Sequence, residues 1–384
     1  MSSIFKSLST PRSAVNLFFF INGFIFASWA SRVPLLQDLH DMDNRQLGFV
    51  LLAHSIGAFI AMPVTGFLIA KFSSRHITRI SCALFITFFA LISMTPSYGV
   101  LFLPFFLMGA STGIMDVAMN SQAVVVEKLV QKPVMTFFHA MFSIGMVGGG
   151  LTGSFFTSIG DSLSFHFLSV AVFGVLVWIV AYRFLVEDEE GTPETDTVYL
   201  AWPKGPVIGL GLIAFCCMLG EGAMTDWSTA YMQNIVNTPE SLSAFGLTAF
   251  AAMMTAGRLF GDRGRVQWGD RKMLYFGAIS SLIGSVLIIS LWHPLIVIAG
   301  FGLVGIGLAN IVPIVFSLAG NLKGIAPGMG IAMSTTIGYS GFMLGPPLIG
   351  FLADTWDLQW ALGSLMIFFL IMWILILTRK FENV

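Results

Sequence analysis

The sequence predicts an all-α membrane protein in which twelve transmembrane helices form two pseudo-symmetric six-helix bundles. Three observations carry this prediction. Of the 384 residues, 56% are hydrophobic and only 10% charged, where a soluble domain carries about 25% charged residues; mean hydropathy is +0.85. Apolar segments of about 20 residues, each long enough to cross about 30 Å of hydrocarbon, recur along the whole chain. Lys and Arg are confined almost entirely to alternate loops, as the positive-inside rule requires.

The spans fall at 14–36, 46–70, 77–95, 99–127, 134–159, 163–186, 205–234, 241–262, 273–292, 295–321, 327–353 and 359–378. Helices are required because an open sheet leaves backbone groups unpaired in lipid, and the alternation of a membrane barrel is absent. The first span is too long for a cleaved signal peptide and lacks a small-residue cleavage site. The second ends at a basic loop, "KFSSRHITR". The fourth is interrupted by Asp116 and Asn120, and the fifth is Gly-rich, with Gly145, Gly149 and Gly153 giving one smooth packing face. The sixth runs into the most polar connection of the chain, which divides it into residues 1–186, a linker at 187–204 and residues 205–384.

The second set of six spans echoes the first. "FIFASWASRVP" in the first span aligns with "GAMTDWSTAYM" in the seventh, pairing Trp29 with Trp227 and Ser28 with Asp226 at an offset of 198. A second basic loop, "RGRVQWGDRK", follows the eighth span, and "GPPLIGFLAD" in the eleventh matches the Gly-rich fifth. With both termini cytoplasmic, 17 of the 19 Lys and Arg residues lie inside, leaving Arg32 and Arg45, while Asp38, Asp41, Asp43, Asp161, Asp354 and Asp357 lie outside. One miscounted span would scramble this bias, since each error flips every later loop.

Several function classes are excluded. A net charge of −1 with no basic tail argues against nucleic acid. Cys82, Cys216 and Cys217 all fall within spans and read as small buried hydrophobes. "GLVGIG" at 302–307 lies inside a span with no Lys-Ser/Thr after it, so it is no phosphate loop. Neither a pair of CxxC motifs nor HExxH nor GxSxG occurs. Catalysis, a metal and a cofactor are therefore not expected.

The residues also resemble the major facilitator superfamily over essentially the whole chain. Its loop signature is damaged after the second span, where Gly66 and Leu68 fit but Ala70 and Ser73 replace an Asp and a Gly. The signature is fuller after the eighth, with Gly257, Arg258, Asp262, Arg263 and Gly269. "DVAMNSQAVVVEKLVQKPVMTFFHAMFSIG", "GEGAMTDWS" and "GYSGFMLGPPLIGF" are similar to the bacterial branch of YbjJ-type inner-membrane proteins and, more distantly, fucose permeases. Asp116 and Asn120 sit in the Glu-x-x-x-Asn pattern that fucose permeases carry in the fourth span. Ala30, Ser31 and Arg32 stand where those permeases carry a first-span acid. The resemblance implies the major facilitator fold, a bacterial inner-membrane location, and a latch at Arg258, Asp262 and Arg263 that holds the outward-open state; the alternative is ordinary positive-inside topology.

An ionisable group at the bilayer centre costs about 2.5–3.5 kcal/mol on insertion scales, and the only acids well inside spans are Asp116, Glu221 and Asp226. Asn120 shares a helical face with Asp116, and His139 lies at a similar depth on the fifth span. An acid in low dielectric exchanges protons near neutral pH, so Asp116, Glu221 and His139 are the candidates for proton coupling. The alternative for Asp116 is a neutral side chain bonded to a neighbouring helix. Glu221 and Asp226 stand about 140° apart on a regular helix, unless Gly220 and Gly222 break it. Asp226 is the expected partner of Arg32, as an outer gate or a structural pair. Asn22, Trp29, Asn120, His139, Glu221, Trp227, Asn310 and Tyr339 are the candidates for substrate binding. Taken singly, Asn22, Asn310 and Tyr339 read first as interhelical hydrogen bonds, and the alternative for the two tryptophans is interfacial anchoring.

The function expected is a monomeric secondary transporter. It would move a small polar solute, with a sugar the favoured class, by alternating access and proton coupling. A proton-driven drug or metabolite exporter is the alternative, with 37 Phe and 21 Met available to line a cavity. A non-transporting sensor on the same fold would need a signalling domain or a long tail.

Overall fold

In the computed structural model, residues 10–42, 44–160, 162–188, 206–243, 245–290 and 293–378 are described, and the regular elements among them are all helical. The linker from 189 onward and Lys6, Lys204, Arg379 and Lys380, assigned above to the cytoplasmic side, lie outside the described residues. The N-terminal helices are α1 (Pro11–Ala30), α2 (Val33–Leu39), α3 (Asn44–Ile92), α4 (Tyr98–Val130), α5 (Met135–Ser158) and α6 (Leu163–Ala181). The C-terminal ones are α7 (Pro206–Asn234), α8 (Glu240–Ser243), α9 (Phe245–Trp268), α10 (Asp270–Ser290), α11 (Pro294–Leu308), α12 (Ile311–Gly320), α13 (Pro327–Thr355), α14 (Leu358–Gly363) and α15 (Leu365–Thr378).

These helices supply the twelve expected spans. The second and third share α3, which turns at Ser73. The tenth comprises α11 and α12, and the twelfth α14 and α15. The short helices α2 and α8 follow the first and seventh spans, the same place in each repeat. Helix starts carry caps: Thr10 Oγ1 accepts from the Ser13 N–H, Ser162 from Phe165 and Asp357 from Trp360.

The first, eighth and tenth spans depart from the sequence expectation, each for a local reason. The first span ends at Ala30 rather than 36, because Pro34 has no N–H to offer the Ala30 carbonyl and instead opens α2. The eighth runs on to Trp268, where Gly269 at φ 79° ends it. The tenth breaks at Ala309–Asn310, since Pro313 cannot donate to the Ala309 carbonyl four residues back. The seventh does not break: α7 is continuous, so Gly220 and Gly222 do not bring Glu221 and Asp226 to one point. Those glycines serve packing, with a methyl group on Gly220 falling 2.5 Å from the Phe369 ring.

The chain divides into two compact units, Met1–Gln131 with Phe138–Ala201 and Ala326–Ala332, and Lys132–Phe137 with Trp202–Ile325 and Met333–Val384. Each is held by the same device. In the first, Cβ atoms on Gly145 and Gly149 of α5 would stand 2.2 Å from the Phe20 and Phe24 carbonyl oxygens of α1. In the second, Gly341 and Gly345 of α13 meet the Phe215 and Leu219 carbonyls of α7 at 2.4 and 3.0 Å. Likewise Gly109 of α4 abuts the His54 carbonyl, and Gly305 of α11 the Phe250 carbonyl. Lipid offers no hydrophobic drive for helix association, so backbones must approach this closely for dispersion to hold them. The Gly145–Gly149–Gly153 face is therefore a packing face.

These contacts also set the register of the repeat. Gly109 and Gly305, Gly145 and Gly341, and Gly149 and Gly345 are each 196 apart, while Phe20 and Phe215 are 195 apart. The offset of 198 that pairs Trp29 with Trp227 is thus three residues too long, because aromatic identity is a weaker guide to register than interhelical contact.

Candidate functional site

The first unit gathers the N-terminal polar candidates into one bonded chain. Asp116 and Asn120 lie one turn apart on α4, both buried. The Asn120 amide nitrogen donates to the Asp116 backbone carbonyl at 2.8 Å and reaches its carboxylate Oδ1 at 3.5 Å. That orientation turns the Asn120 oxygen to α5, where His139 Nε2 lies at 3.2 Å. An amide oxygen only accepts, so Nε2 carries the proton in this contact. Phe19 of α1 meets the His139 ring edge-on at 5.2 Å and fixes its plane. A carboxylate and an imidazole separated by one amide, in a low dielectric, each alter the energy of the other's charged form.

Asn22, one turn from Phe19, donates to Met119 Sδ at 3.7 Å, a weak partner, and its buried Oδ1 has no hydrogen bond among the described residues. Trp29 is buried beside the rings of His54 at 5.5 Å and Phe105 at 5.8 Å. The indole N–H of Trp29 and Nε2 of His54 are both buried without a hydrogen-bond partner among the described residues. His54 is a site candidate that sequence reasoning missed; a histidine inside the second span was the available signal. Arg32 is 3% exposed and donates from Nη1 to Thr157 Oγ1 at 2.6 Å.

The second unit is organised around the break between α11 and α12. The Ala309 carbonyl, left over by Pro313, accepts from Arg258 Nε at 3.4 Å, and the Leu308 carbonyl accepts from Cys217 Sγ at 3.6 Å. Arg258 also pairs with Glu221, Nη2 to Oε1 at 3.3 Å, both largely withdrawn from solvent. Glu221 and Arg258, assigned separately to coupling and to gating, are therefore one ion pair. Asn310, at the break, packs so tightly on Gly261 that a Cβ there would meet its Oδ1 at 1.9 Å. Asp226 is exposed at the far end of α7 and belongs to a different unit from Arg32. Trp227 lies over Gly350 of α13, and Tyr339 on that helix meets the Phe342 ring at 5.9 Å.

The three residues of the expected latch separate. Asp262 accepts the backbone N–H groups of Thr136 at 3.1 Å and Phe137 at 2.9 Å, capping the start of α5. Arg263 is exposed, stacked over Phe260 at 6.0 Å, and Arg258 holds Glu221 instead. The buried arginine of this loop is Arg265, a further residue not singled out from sequence, which grips Asp270 through Nε at 2.7 Å and Nη2 at 3.1 Å and reaches Ser317 at 3.0 Å.

Residues 13–326 match the Major Facilitator Superfamily. The chain belongs to that superfamily. It is 34% identical over 350 residues to an uncharacterized MFS-type transporter of Yersinia pestis, covering 91% of each chain. It is 32% identical to the membrane protein MosC of Rhizobium meliloti, covering 91% of this chain and 85% of that one. Among solved structures it is similar to the MFS transporter FucP in its outward conformation, with a TM-score of 0.81 and 16% identity, over 96% of this chain and 98% of FucP. That likeness is one of fold.

Within this superfamily member the two loop-signature copies differ in sequence but share a positive φ at one equivalent position. Ser73 takes φ 65° and ψ 150° at a position 196 residues before Gly269, whose φ is 79°. The next residue, Ser74, gives both its N–H and its hydroxyl to the Asp188 carboxylate. Gln122 of α4 closes the cluster, donating to Ser74 Oγ and the Val186 carbonyl and accepting from the Val186 N–H. Gln122, two residues beyond Asn120 in an apolar span, was visible in the sequence but not weighed. It ties the end of α6 to the turn in α3.

Proposed function

We propose that this superfamily transporter carries a small hydroxylated solute, of the sugar class, across the bacterial inner membrane by proton-coupled alternating access. The observation that carries the proposal is the bonded chain Asp116–Asn120–His139. It places an acid and a base on either side of one amide inside a membrane span, a costly arrangement that calls for a use. Asp116 exchanges the proton, His139 senses the charge through Asn120, and the unpartnered polar atoms of Asn22, Trp29 and His54 offer a donor and acceptors to solute hydroxyls. The Glu221–Arg258 ion pair holds opposite charges together in the second unit. Residues 1–186 and 205–384 act as the two rocking bundles, with both termini cytoplasmic.

The test is a pH-gradient experiment in proteoliposomes. Purified protein is challenged with a panel of monosaccharides and polyols while internal pH is read by a trapped dye. A sugar that moves protons with the wild type, and fails to do so with Asp116→Asn while still exchanging across the membrane, supports the proposal. Unchanged gradient-driven flux in Asp116→Asn overturns it.

A further inference from the structure

A groove of about 560 Å³ runs along the outside of the first unit between the two limbs of α3 and α4. Its walls are apolar: Leu68 and Phe72 before the turn, Ile77, Ile80 and Leu84 after it, and Ile114 of α4. The one hydroxyl inside, that of Ser81, is turned back to the Ile77 carbonyl at 2.7 Å. At the other end the lining changes to His76, an exposed imidazole whose Nδ1 is held by Ser73 Oγ at 3.0 Å. Lys71 stands at the same rim, its ammonium 5.2 Å over the ring of Phe72.

The neighbouring cations are already engaged. Arg75 pairs with Glu187 at 3.3 Å, and Arg79 donates to the Tyr182 carbonyl and stacks over its ring. Lys71 and His76 have no carboxylate partner among the described residues. The groove thus joins an apolar slot to an uncompensated basic rim. From His76 to Leu84 the helix rises about 12 Å, close to the roughly 15 Å of hydrocarbon in one leaflet.

We propose that this groove binds one molecule of an anionic phospholipid, with an acyl chain in the slot and the phosphate against Lys71 and His76. Basic pockets between helices at the membrane surface recognise such headgroups. A zwitterionic lipid brings its own cation to the rim and gains less. The site is independent of the transported solute and of the proton site, and would hold if those assignments failed.

Native mass spectrometry of the detergent-solubilised protein tests it, with phosphatidylglycerol and phosphatidylcholine supplied in equal amounts. Phosphatidylglycerol should be retained in preference by about fivefold, the worth of one Lys at the membrane surface. Lys71→Glu with His76→Glu should bring the ratio to parity, and Leu84→Trp, which fills the slot at a side chain already 39% exposed, should remove retention of both lipids. Lys323→Glu, an exposed charge in the other unit, should leave the ratio unchanged. Excess sn-glycerol 3-phosphate should not displace the lipid, since it carries the phosphate without the chain. Equal retention of the two lipids by the wild type overturns the proposal. So does an equal loss in Lys323→Glu, indifference to Leu84→Trp, or displacement by the glycerol phosphate.

Discussion

Ser73→Gly should stabilise the protein, and Gly269→Ser should do the reverse. Both positions end a helix at the same point of the repeat, with φ of 65° and 79°. With ψ at 150°, Ser73 occupies a region open almost only to glycine, and such a residue costs about 1–3 kcal/mol. Glycine removes that cost but loses about 0.5–1 kcal/mol through its freer unfolded chain. It also loses the exposed Ser73–His76 bond, worth about 0.5 kcal/mol. At the middle of these ranges Ser73→Gly gains about 0.75 kcal/mol, seen as a rise of about 1–3 °C in melting temperature. Gly269→Ser installs the strain with no histidine to receive the hydroxyl, and should cost about 1–2 kcal/mol. Intrinsic tryptophan fluorescence of the protein in detergent, followed through thermal unfolding, reads both. A lower melting temperature for Ser73→Gly, or no change for Gly269→Ser, would refute the reasoning, because the shared positive φ would then carry no strain.

Three further outcomes follow from the site. Asn120→Leu removes the link between Asp116 and His139 and leaves buried polar atoms to fend for themselves, so stability should fall by about 1–3 kcal/mol; gradient-driven flux should lose its dependence on His139, checked by adding His139→Phe. Arg258→Met alone should cost about 3 kcal/mol by stranding Glu221, whereas Arg258→Met with Glu221→Leu should recover most of it, measured as melting temperatures in a double-mutant cycle. Gly149→Ala places a methyl group 2.2 Å from the Phe24 carbonyl oxygen. It should force α1 and α5 apart and cost about 1–3 kcal/mol by the same assay, with no relief from a flexible side chain.

The spans were legible because membrane burial writes itself into composition: lipid requires about 20 apolar residues at a time and the cytoplasm collects the basic ones. The Asp116–Asn120–His139 chain was legible for a similar reason, since spacing by one turn and equal depth on consecutive helices are countable from the sequence. The Glu221–Arg258 pair was not, because it joins helices 37 residues apart in sequence through the side-chain rotamers of two long residues. The break at Asn310 could have been found from Pro313, which frees a carbonyl four residues earlier whatever surrounds it. Gln122 and His54 were passed over because a single amide or imidazole in a span reads as an interhelical bond until its neighbours are known.

The repeat register shows where the two halves diverge. At an offset of 196, the counterparts of Gly109, Gly145 and Gly149 are glycines, yet those of Asp116, Asn120 and His139 are Val312, Phe316 and Thr335. In the other direction, Glu221 corresponds to Phe26 at an offset of 195 and Arg258 to Met62 at 196. What is repeated at those three glycines is what two helices need in order to touch, and what is not repeated is Asp116, Asn120, His139, Glu221 and Arg258. A buried acid linked to a base can gain or lose a proton at modest cost, while an acid already held by arginine resists protonation. On the proposed function the first bundle therefore changes charge during the cycle and the second keeps its charge fixed.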